Sequence, residues 1–430
     1  MRSYLDVLAK IEETGVRAWL VGDTVRMLFT GVQPDIITLA VDTDDMYSLM
    51  LALNTGAVDA RGTYPALRGE LFEIPFRAFA LRGNTIEDDL ACRDLSIEAI
   101  AIRSDGGVVD PFGGRFDIRN RVIRLTGDNV ELIDADPLRI LRMLRLSAEL
   151  EMDIFWKTTG DVREFLDSHP DRMKNIPDER WGREILKGMR RRPYNFMKLC
   201  DDFNLIPFFL KGLSGLPDVA ELKKNDRNLF DRVLKTLKVI QHKLDSNKIM
   251  QRDSFVLAGL FSYFSLRKAK ENESEELKHV DRLINDCLTR WNIPSETITA
   301  VTAIINDYKH FYEPITEEKF CKKVLEFSTE AMEVALEFAK CVAEAEGFID
   351  DVQDVLSDNE WNLNQVLRRF RNVSLETEGQ SRYLTGREVM NLLNIKPGRR
   401  VGELLENLDL AVGTGKVTSR KGAEAWLKAQ

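Results

Sequence analysis

The hydrophobic period of this chain changes to a helical one from about Asp134, and that change constrains the fold more than any other feature. Before it, short apolar and β-branched runs alternate with short helical windows. Arg17-Ala18-Trp19-Leu20-Val21 is an apolar run ending at Gly22 and reads as a buried strand. Residues 24–30 read as a helix stopped by Gly31. Residues 36–41, rich in β-branched side chains, read as a second strand, and 42–53 as a helix with an acidic first turn. Residues 72–77 and 97–102 read as further strands, with Pro75 placing the former near an edge or at a bulge. From about Asp134 onward the pattern is helical with little interruption. Leu138, Leu141, Leu144, Leu146 and Ala148 form an apolar stripe, while Arg139, Arg142 and Arg145 drift round one face. Residues 316–345 form a long charged, amphipathic stretch, and no fixed-period repeat is visible.

With 430 residues the chain is long enough for several cores. No apolar run approaches the length of a membrane span, so no membrane association is expected. Met1-Arg2-Ser3-Tyr4-Leu5-Asp6 lacks the apolar region of a secretion signal, and a cytoplasmic location is the expectation. The five cysteines are scattered and never closely paired, which reads as isolated thiols rather than disulfides or a zinc site. A net charge of −9 means that any surface for nucleic acid must concentrate its cations locally.

Three blocks follow one another within about fifty residues: Arg93-Asp94-Leu95-Ser96-Ile97-Glu98-Ala99-Ile100-Ala101, Asp110-Pro111-Phe112-Gly113-Gly114 and Asp136-Pro137-Leu138-Arg139-Ile140-Leu141-Arg142. Together they resemble the head and neck of the template-independent RNA nucleotidyltransferases, the CCA-adding enzymes and bacterial poly(A) polymerases. Lys396-Pro397-Gly398-Arg399-Arg400 is similar to a Pro-Gly turn in that family's tail, whereas residues 200–375 match only as generic helix. The resemblance implies an α+β chain: a polymerase-β-like head with a mixed sheet, then an all-helical neck, body and tail. The expected divisions are 1–128 for the head, 129–198 for the neck, 199–375 for the body and 376–430 for the tail. The implied partners are tRNA or tRNA-like RNA and ATP or CTP. Mg²⁺ is implied if the chain is active, and no cofactor otherwise.

Nucleotidyl transfer in that family uses two divalent metals, which clamp the attacking and leaving oxygens and need oxygen ligands on rigid strands. The family carries a Gly-Gly turn, an Arg-Asp pair and then Asp-x-Asp. Here Gly22 matches the first glycine and Asp23 stands at the second; Arg26 matches the arginine and Met27 stands at its partner. Aligned without gaps, the Asp-x-Asp positions fall on Ile36 and Thr38; a one-residue deletion moves them to Asp35 and Ile37. Asp42-Thr43-Asp44 has the spacing but comes late, and reads as a helix-capping turn. Asp35 and Glu73, the latter matching a family position on a neighbouring strand, are the candidate catalytic carboxylates. No full metal-ligand set is expected.

The resemblance assigns Arg93 and Asp94 to the ribose and phosphates of a nucleotide, a task suited to the forked guanidinium and to a carboxylate acceptor. It assigns Asp136 and Arg139 to base reading on a neck helix, with Arg142 and Arg145 continuing the stripe, and Glu179-Arg180 with Arg183 and Glu184 to bracing that helix. The segment from Arg77 to Arg93 is shorter than the family usually has. Gly22, Arg26, Arg93, Asp94, Asp136, Arg139 and Arg142 are thus the expected nucleotide residues. For RNA, Lys187, Arg190, Arg191 and Arg192 cluster beside Tyr194 and Phe196, a mixture suited to backbone contact and stacking or, equally, to a helix C-terminus. Lys396, Arg399 and Arg400 offer a second basic group in the tail. Residues 256–263 resemble the helix of a phosphohydrolase domain, but the chain has no His-Asp dipeptide and no such site is expected. Two readings stay open: an RNA-binding relative with catalysis weak or lost, and an active enzyme adding C or A to RNA 3′ ends.

Overall fold

Four consecutive buried residues, Ala18–Val21, form strand β1 near the middle of a seven-stranded sheet. The computed structural model describes residues 2–60, 65–210, 227–245, 252–262, 273–327, 329–377 and 380–430. These fall into two compact units, Met1–Gly188 and Met189–Gln430.

In the first unit, helix α1 (Arg2–Glu12) precedes β1, and α2 (Asp23–Phe29) follows it. Next come β2 (Ile37–Val41), α3 (Met46–Leu53), β3 (Ala57–Asp59), β4 (Ala66–Leu71) and β5 (Ile74–Ala80). Helix α4 (Ile86–Ala91), β6 (Ala101–Ile102), β7 (Val108–Val109) and α5 (Gly114–Asn120) complete the head. The sheet order is β3-β4-β5-β2-β1-β6-β7. It is mixed, because β2 and β5 run parallel while the other neighbours are antiparallel. The chain is therefore α+β, with a mixed-sheet head and a largely helical remainder.

Several local expectations need correction. The strand expected over 72–77 starts at Ile74, because Phe72 and Glu73 both take positive φ (53° and 62°) and make the two-residue turn joining β4 to β5. β5 is interior rather than an edge. Pro75 is tolerated because pairing with β2 begins only at Phe76, so its missing N–H leaves no gap on that side. The helix expected from residue 42 starts at Met46, with the Asp45 side chain accepting from Ser48 N at 2.9 Å. Asp42 instead pairs with Arg17 at 2.5 Å. The strand expected over 97–102 is only the two residues of β6, preceded by a 3-10 turn at Ser96–Glu98.

Two short strands, β8 (Val122–Ile123) and β9 (Asp153–Ile154), pair in parallel and bracket α6 (Asn129–Ala135) and α7 (Leu138–Leu150). The apolar stripe of α7 is buried. Helices α8 (Trp156–Ser168), α9 (Pro170–Lys174) and α10 (Asp178–Arg191) follow. Asp136 lies in the break between α6 and α7 with extended backbone, not on a shared helix face with Arg139. The reason is Pro137, which disfavours helical backbone in the residue before it.

The second unit is helical. It contains α11 (Pro193–Asp202), α12 (Ile206–Phe209), α13 (Arg227–Asp245), α14 (Arg252–Phe261), α15 (Glu273–Arg290) and α16 (Ser295–Asp307). The stretch read as one long amphipathic segment divides into α17 (Glu317–Phe327) and α18 (Thr329–Glu346). After α19 (Ile349–Glu376) come α20 (Gly386–Leu393), α21 (Arg399–Gly413) and α22 (Arg420–Lys428). Thr385 and Glu388 form a capping box at the start of α20. Of the residues resembling a phosphohydrolase helix, 256–261 fall on α14, Ser262 follows its end, and Tyr263 lies outside the described residues. Among the described residues no helix is long and apolar enough to cross a membrane.

Candidate nucleotide site

The segment Arg93–Ser96 is held as a strap between α4 and α5, and the holding residues explain why the first two sequence blocks go together. Ser96 N donates to Arg124 O at 2.9 Å, and Thr126 Oγ1 donates to Arg93 O at 2.5 Å. Ser96 Oγ donates to the buried Asp117 carboxylate, which also receives Arg124 at 2.9 Å. Asp110 accepts from Gly114 N (2.7 Å) and Arg115 N (3.0 Å), closing the turn into α5. A Cβ on Gly114 would lie 2.0 Å from the Ser96 carbonyl oxygen, so the second glycine of that block is what lets α5 approach the strap. The Asp-Pro-Phe-Gly-Gly block is thus structural here.

From this strap Arg93 and Asp94 point to different partners. Arg93 is anchored on Asp89, one turn back on α4, at 2.7 and 3.1 Å. Burial pushes the Asp89 carboxyl up, but Arg93 and Arg82 outweigh it and hold the group below the usual range. Gly22 has φ 67° and ψ −134°, a conformation suited to glycine, and a Cβ there would fall 2.8 Å from Arg93 Nη1. The guanidinium therefore lies over the Gly22 backbone.

Asp94 receives two arginines from α7: Arg142 Nη1 at 2.7 Å and Arg139 Nε at 3.1 Å. The Arg139 contact is an ion pair by distance without hydrogen-bond direction, so Arg139 Nε and Nη1 are buried donors with no hydrogen-bond acceptor. Arg142 also lies 3.4 Å from Asp136 and 3.9 Å from Glu184. Burial alone would lower the Arg142 pKa, but Asp94 and the other acids raise it. Asp136 is held by Arg180 at 2.9 and 3.0 Å. Glu184 is buried and takes Arg145 at 2.9 Å and Lys187 at 2.8 Å. Burial raises the Glu184 carboxyl, but Lys187, Arg145 and Arg142 outweigh it and lower the pKa. The structure thus joins Asp94, Asp136, Arg139 and Arg142 in one network, and brings Gly22 to Arg93. Arg26 joins neither group directly; its Nε lies 3.5 Å from Glu98.

The residues around β2 do not fit a two-metal site. Ile36 is exposed ahead of β2 and carries no ligand atom. Thr38 is engaged from both sides: its N–H donates to Thr24 Oγ1 at 2.8 Å, and its hydroxyl donates to Asp23 Oδ1 at 3.1 Å. The residue beside it on β5 is Arg77, by the β2–β5 register. A guanidinium, with a buried Nε lacking a hydrogen-bond partner, thus neighbours Thr38, and a cation there disfavours divalent metals rather than ligating them. Asp35 is exposed in the bend before β2, and Glu73 is exposed at the β4–β5 turn, so neither lies on the strands. Among the described residues no group of three or more His, Cys, Asp or Glu is placed to hold a metal ion. One carboxylate does reach β2 from elsewhere, with a second near it. Asp23 contacts Thr38, and Glu98 lies close enough for Asp23 to add to the upward shift that burial imposes on its carboxyl, against Arg26 and Arg145.

Arg77, Glu98 and Asp89 were missed in the sequence. The i,i+4 spacing of Asp89 and Arg93 was a usable signal; Arg77 required the strand register. The expected RNA cations are partly spent on protein. Arg190 makes a two-pronged pair with Asp253 (2.6 Å each), Arg192 lies 3.1 Å from Asp245, and Lys187 is on Glu184. Arg191, Lys396 and Arg400 are exposed, and Arg399 pairs with Glu403 one turn on at 2.9 Å.

Residues 66–124 match the family model described as the poly A polymerase head domain. The chain is 24% identical over 438 residues to the CCA-adding enzyme of Levilactobacillus brevis, covering 97% of this chain and 94% of that protein. It is 32% identical over 162 residues to the CC-adding tRNA nucleotidyltransferase of Halalkalibacterium halodurans, covering 37% of this chain and 42% of that one. Among solved structures it is similar to the Bacillus stearothermophilus CCA-adding enzyme in complex with CTP, with a TM-score of 0.57, 19% identity, and 99% and 96% of the two chains covered. The Thermotoga maritima CCA-adding enzyme complexed with tRNA aligns with a TM-score of 0.55 and 17% identity over 99% and 94%. At these identities the structural likeness speaks to the fold.

Proposed function

We propose that this chain, a relative of the tRNA nucleotidyltransferases, binds the 3′ ends of tRNA or tRNA-like RNA together with a nucleotide, with nucleotidyl transfer weak or lost. The observation that carries this reading is the placement of Arg77 beside Thr38. The positions matched to metal ligands hold Ile36, just ahead of β2, and Thr38 on it, with a cation at the neighbouring strand position. Losing one metal's contribution of about 4 kcal/mol slows transfer by about a thousandfold. Nucleotide binding is supported by the Asp94, Asp136, Arg139 and Arg142 network, whose buried Arg139 donors are suited to acceptors on a base or phosphate. RNA binding is supported by the exposed tail cations Lys396 and Arg400, and by the relatives' association with tRNA.

A second reading has its own support. Asp23 contacts Thr38 and lies close enough to Glu98 for its charge to be felt there, and in an active enzyme that adds C or A with CTP or ATP these two are the carboxylates available to Mg²⁺. One experiment separates the two. Trimmed tRNA, labelled ATP or CTP and Mg²⁺ are incubated with the protein, and with Asp23→Asn. The first reading expects tRNA to bind at low salt with no extension above background. Extension on the order of once per second or faster, abolished in Asp23→Asn, establishes the second.

A further inference from the structure

A cavity of about 390 Å³ opens in the first unit between the Asp-Pro-Phe-Gly-Gly turn, the segment after β8 and the start of α8. None of the expected nucleotide residues lines it. Phe112 and Phe155 contribute aromatic faces, and Arg124, Lys157 and Thr158 contribute polar groups. Four features of this cavity converge on an anion.

The first turn of α8, a 13-residue helix, has no side-chain cap: its N-cap is Phe155, which has no acceptor to offer the orphan N–H groups. Such a terminus attracts negative charge. Thr158, in that same turn, is fully buried, and its hydroxyl has no hydrogen-bond partner. A buried, unanswered donor is rare in native proteins and marks a missing acceptor. Lys157 is exposed at the rim. Arg124 is fixed by Asp117 and by the Phe112 carbonyl (2.9 Å), so its cationic head is held in place before any ligand arrives. Asn129, also in the lining, donates to Asp161 at 2.5 Å, which fixes its amide group in place.

We propose that this cavity is a second binding site, for a phosphate-bearing nucleotide unit. The phosphate sits at the α8 N-terminus against Thr158 Oγ1, Lys157 and Arg124, and the base lies against Phe112 and Phe155. The volume is within the range of small-molecule sites, and aromatic faces beside cations suit a base joined to its phosphate. The same chemistry is offered by one nucleotide of an RNA strand and by free nucleotide or phosphate. Trp156, 76% exposed at the first position of α8, lies next to the site and offers a stacking surface for a further base, which favours the strand.

The test uses the full chain, Lys157→Glu and Thr158→Val, with three probes: a 5′-phosphorylated single-stranded hexa-adenylate, AMP and inorganic phosphate. Melting curves confirm that the variants fold; Lys157 is exposed, and Val keeps the shape of Thr158. Hexa-adenylate affinity is expected to fall about tenfold in each variant, with the slope of log affinity against log salt reduced by about one in Lys157→Glu. Binding of ATP to the Asp94 network is expected to be unchanged. If AMP or phosphate binding is lost in the variants while hexa-adenylate binding is not, the site stands and its ligand is the free species. Affinities for all three probes unchanged in both folded variants overturn the proposal.

Discussion

Removing the charge of Asp94 tests whether the strap and helix α7 act as one unit. Asp94→Asn keeps the side-chain volume but deletes the anion that receives Arg139 at 3.1 Å and Arg142 at 2.7 Å. The Arg142 contact is a charged hydrogen bond between half-buried groups, worth about 1.5–3 kcal/mol. The Arg139 contact lacks hydrogen-bond direction and adds about 0–1 kcal/mol. Arg142 keeps Asp136 and Glu184 as longer-range partners, so the total loss is expected near the middle of these ranges, about 3 kcal/mol. For a unit of this size about 3 °C per kcal/mol is lost, so the apparent midpoint falls by about 9 °C. The assay is thermal unfolding of the full chain for Asp94→Asn, Arg142→Met and the double variant. A coupling energy of about 2 kcal/mol is expected. A coupling below about 0.5 kcal/mol refutes the reasoning, because Asp94 then does not hold the helix whose arginines are proposed to meet the nucleotide.

Two further outcomes follow from the same structure. Asp409, buried on α21 2.7 Å from Arg382, is pushed up to about 6 by burial despite that arginine. Because the folded pKa exceeds the unfolded one, the charged form costs stability above pH 6, and the cost is relieved as pH falls toward 4. Asp409→Asn is expected to raise stability by about 2 kcal/mol at pH 8 and little at pH 4, measured by urea unfolding at both pH values. Gly114→Ala puts a Cβ 2.0 Å from a backbone oxygen that cannot swing away, so a loss of about 2–4 kcal/mol is expected; a melting point within 2 °C of the parent contradicts the structural role given to that block.

The mixed-sheet head and helical remainder were legible because hydrophobic period depends on local sequence. β1, α2 and the buried stripe of α7 follow from apolar spacing and from Gly31 as punctuation, whereas the break that Pro137 imposes at Asp136 was not read. The turn at Phe72-Glu73 was not legible, since neither residue favours positive φ and only the surrounding β4–β5 ladder imposes it. For the same reason the neighbour of Thr38 could not be named: Arg77 is set by a parallel register between strands more than thirty residues apart. The Asp94–Arg139–Arg142 network involves residues that the sequence blocks had already singled out. What the sequence did not reveal is that Asp94 is the residue joining them, or that Glu184 gathers three cations beneath.

The central claim is that the nucleotide pocket has too few anionic oxygens to seat paired metal ions. Anomalous scattering from a crystal soaked with Mn²⁺ and a non-hydrolysable ATP analogue tests this most directly. The account expects nucleotide density near the Asp94 network and no pair of manganese peaks bridged by protein carboxylates. Two such peaks, held by Asp23 and Glu98 at ordinary metal–oxygen bond lengths, contradict it.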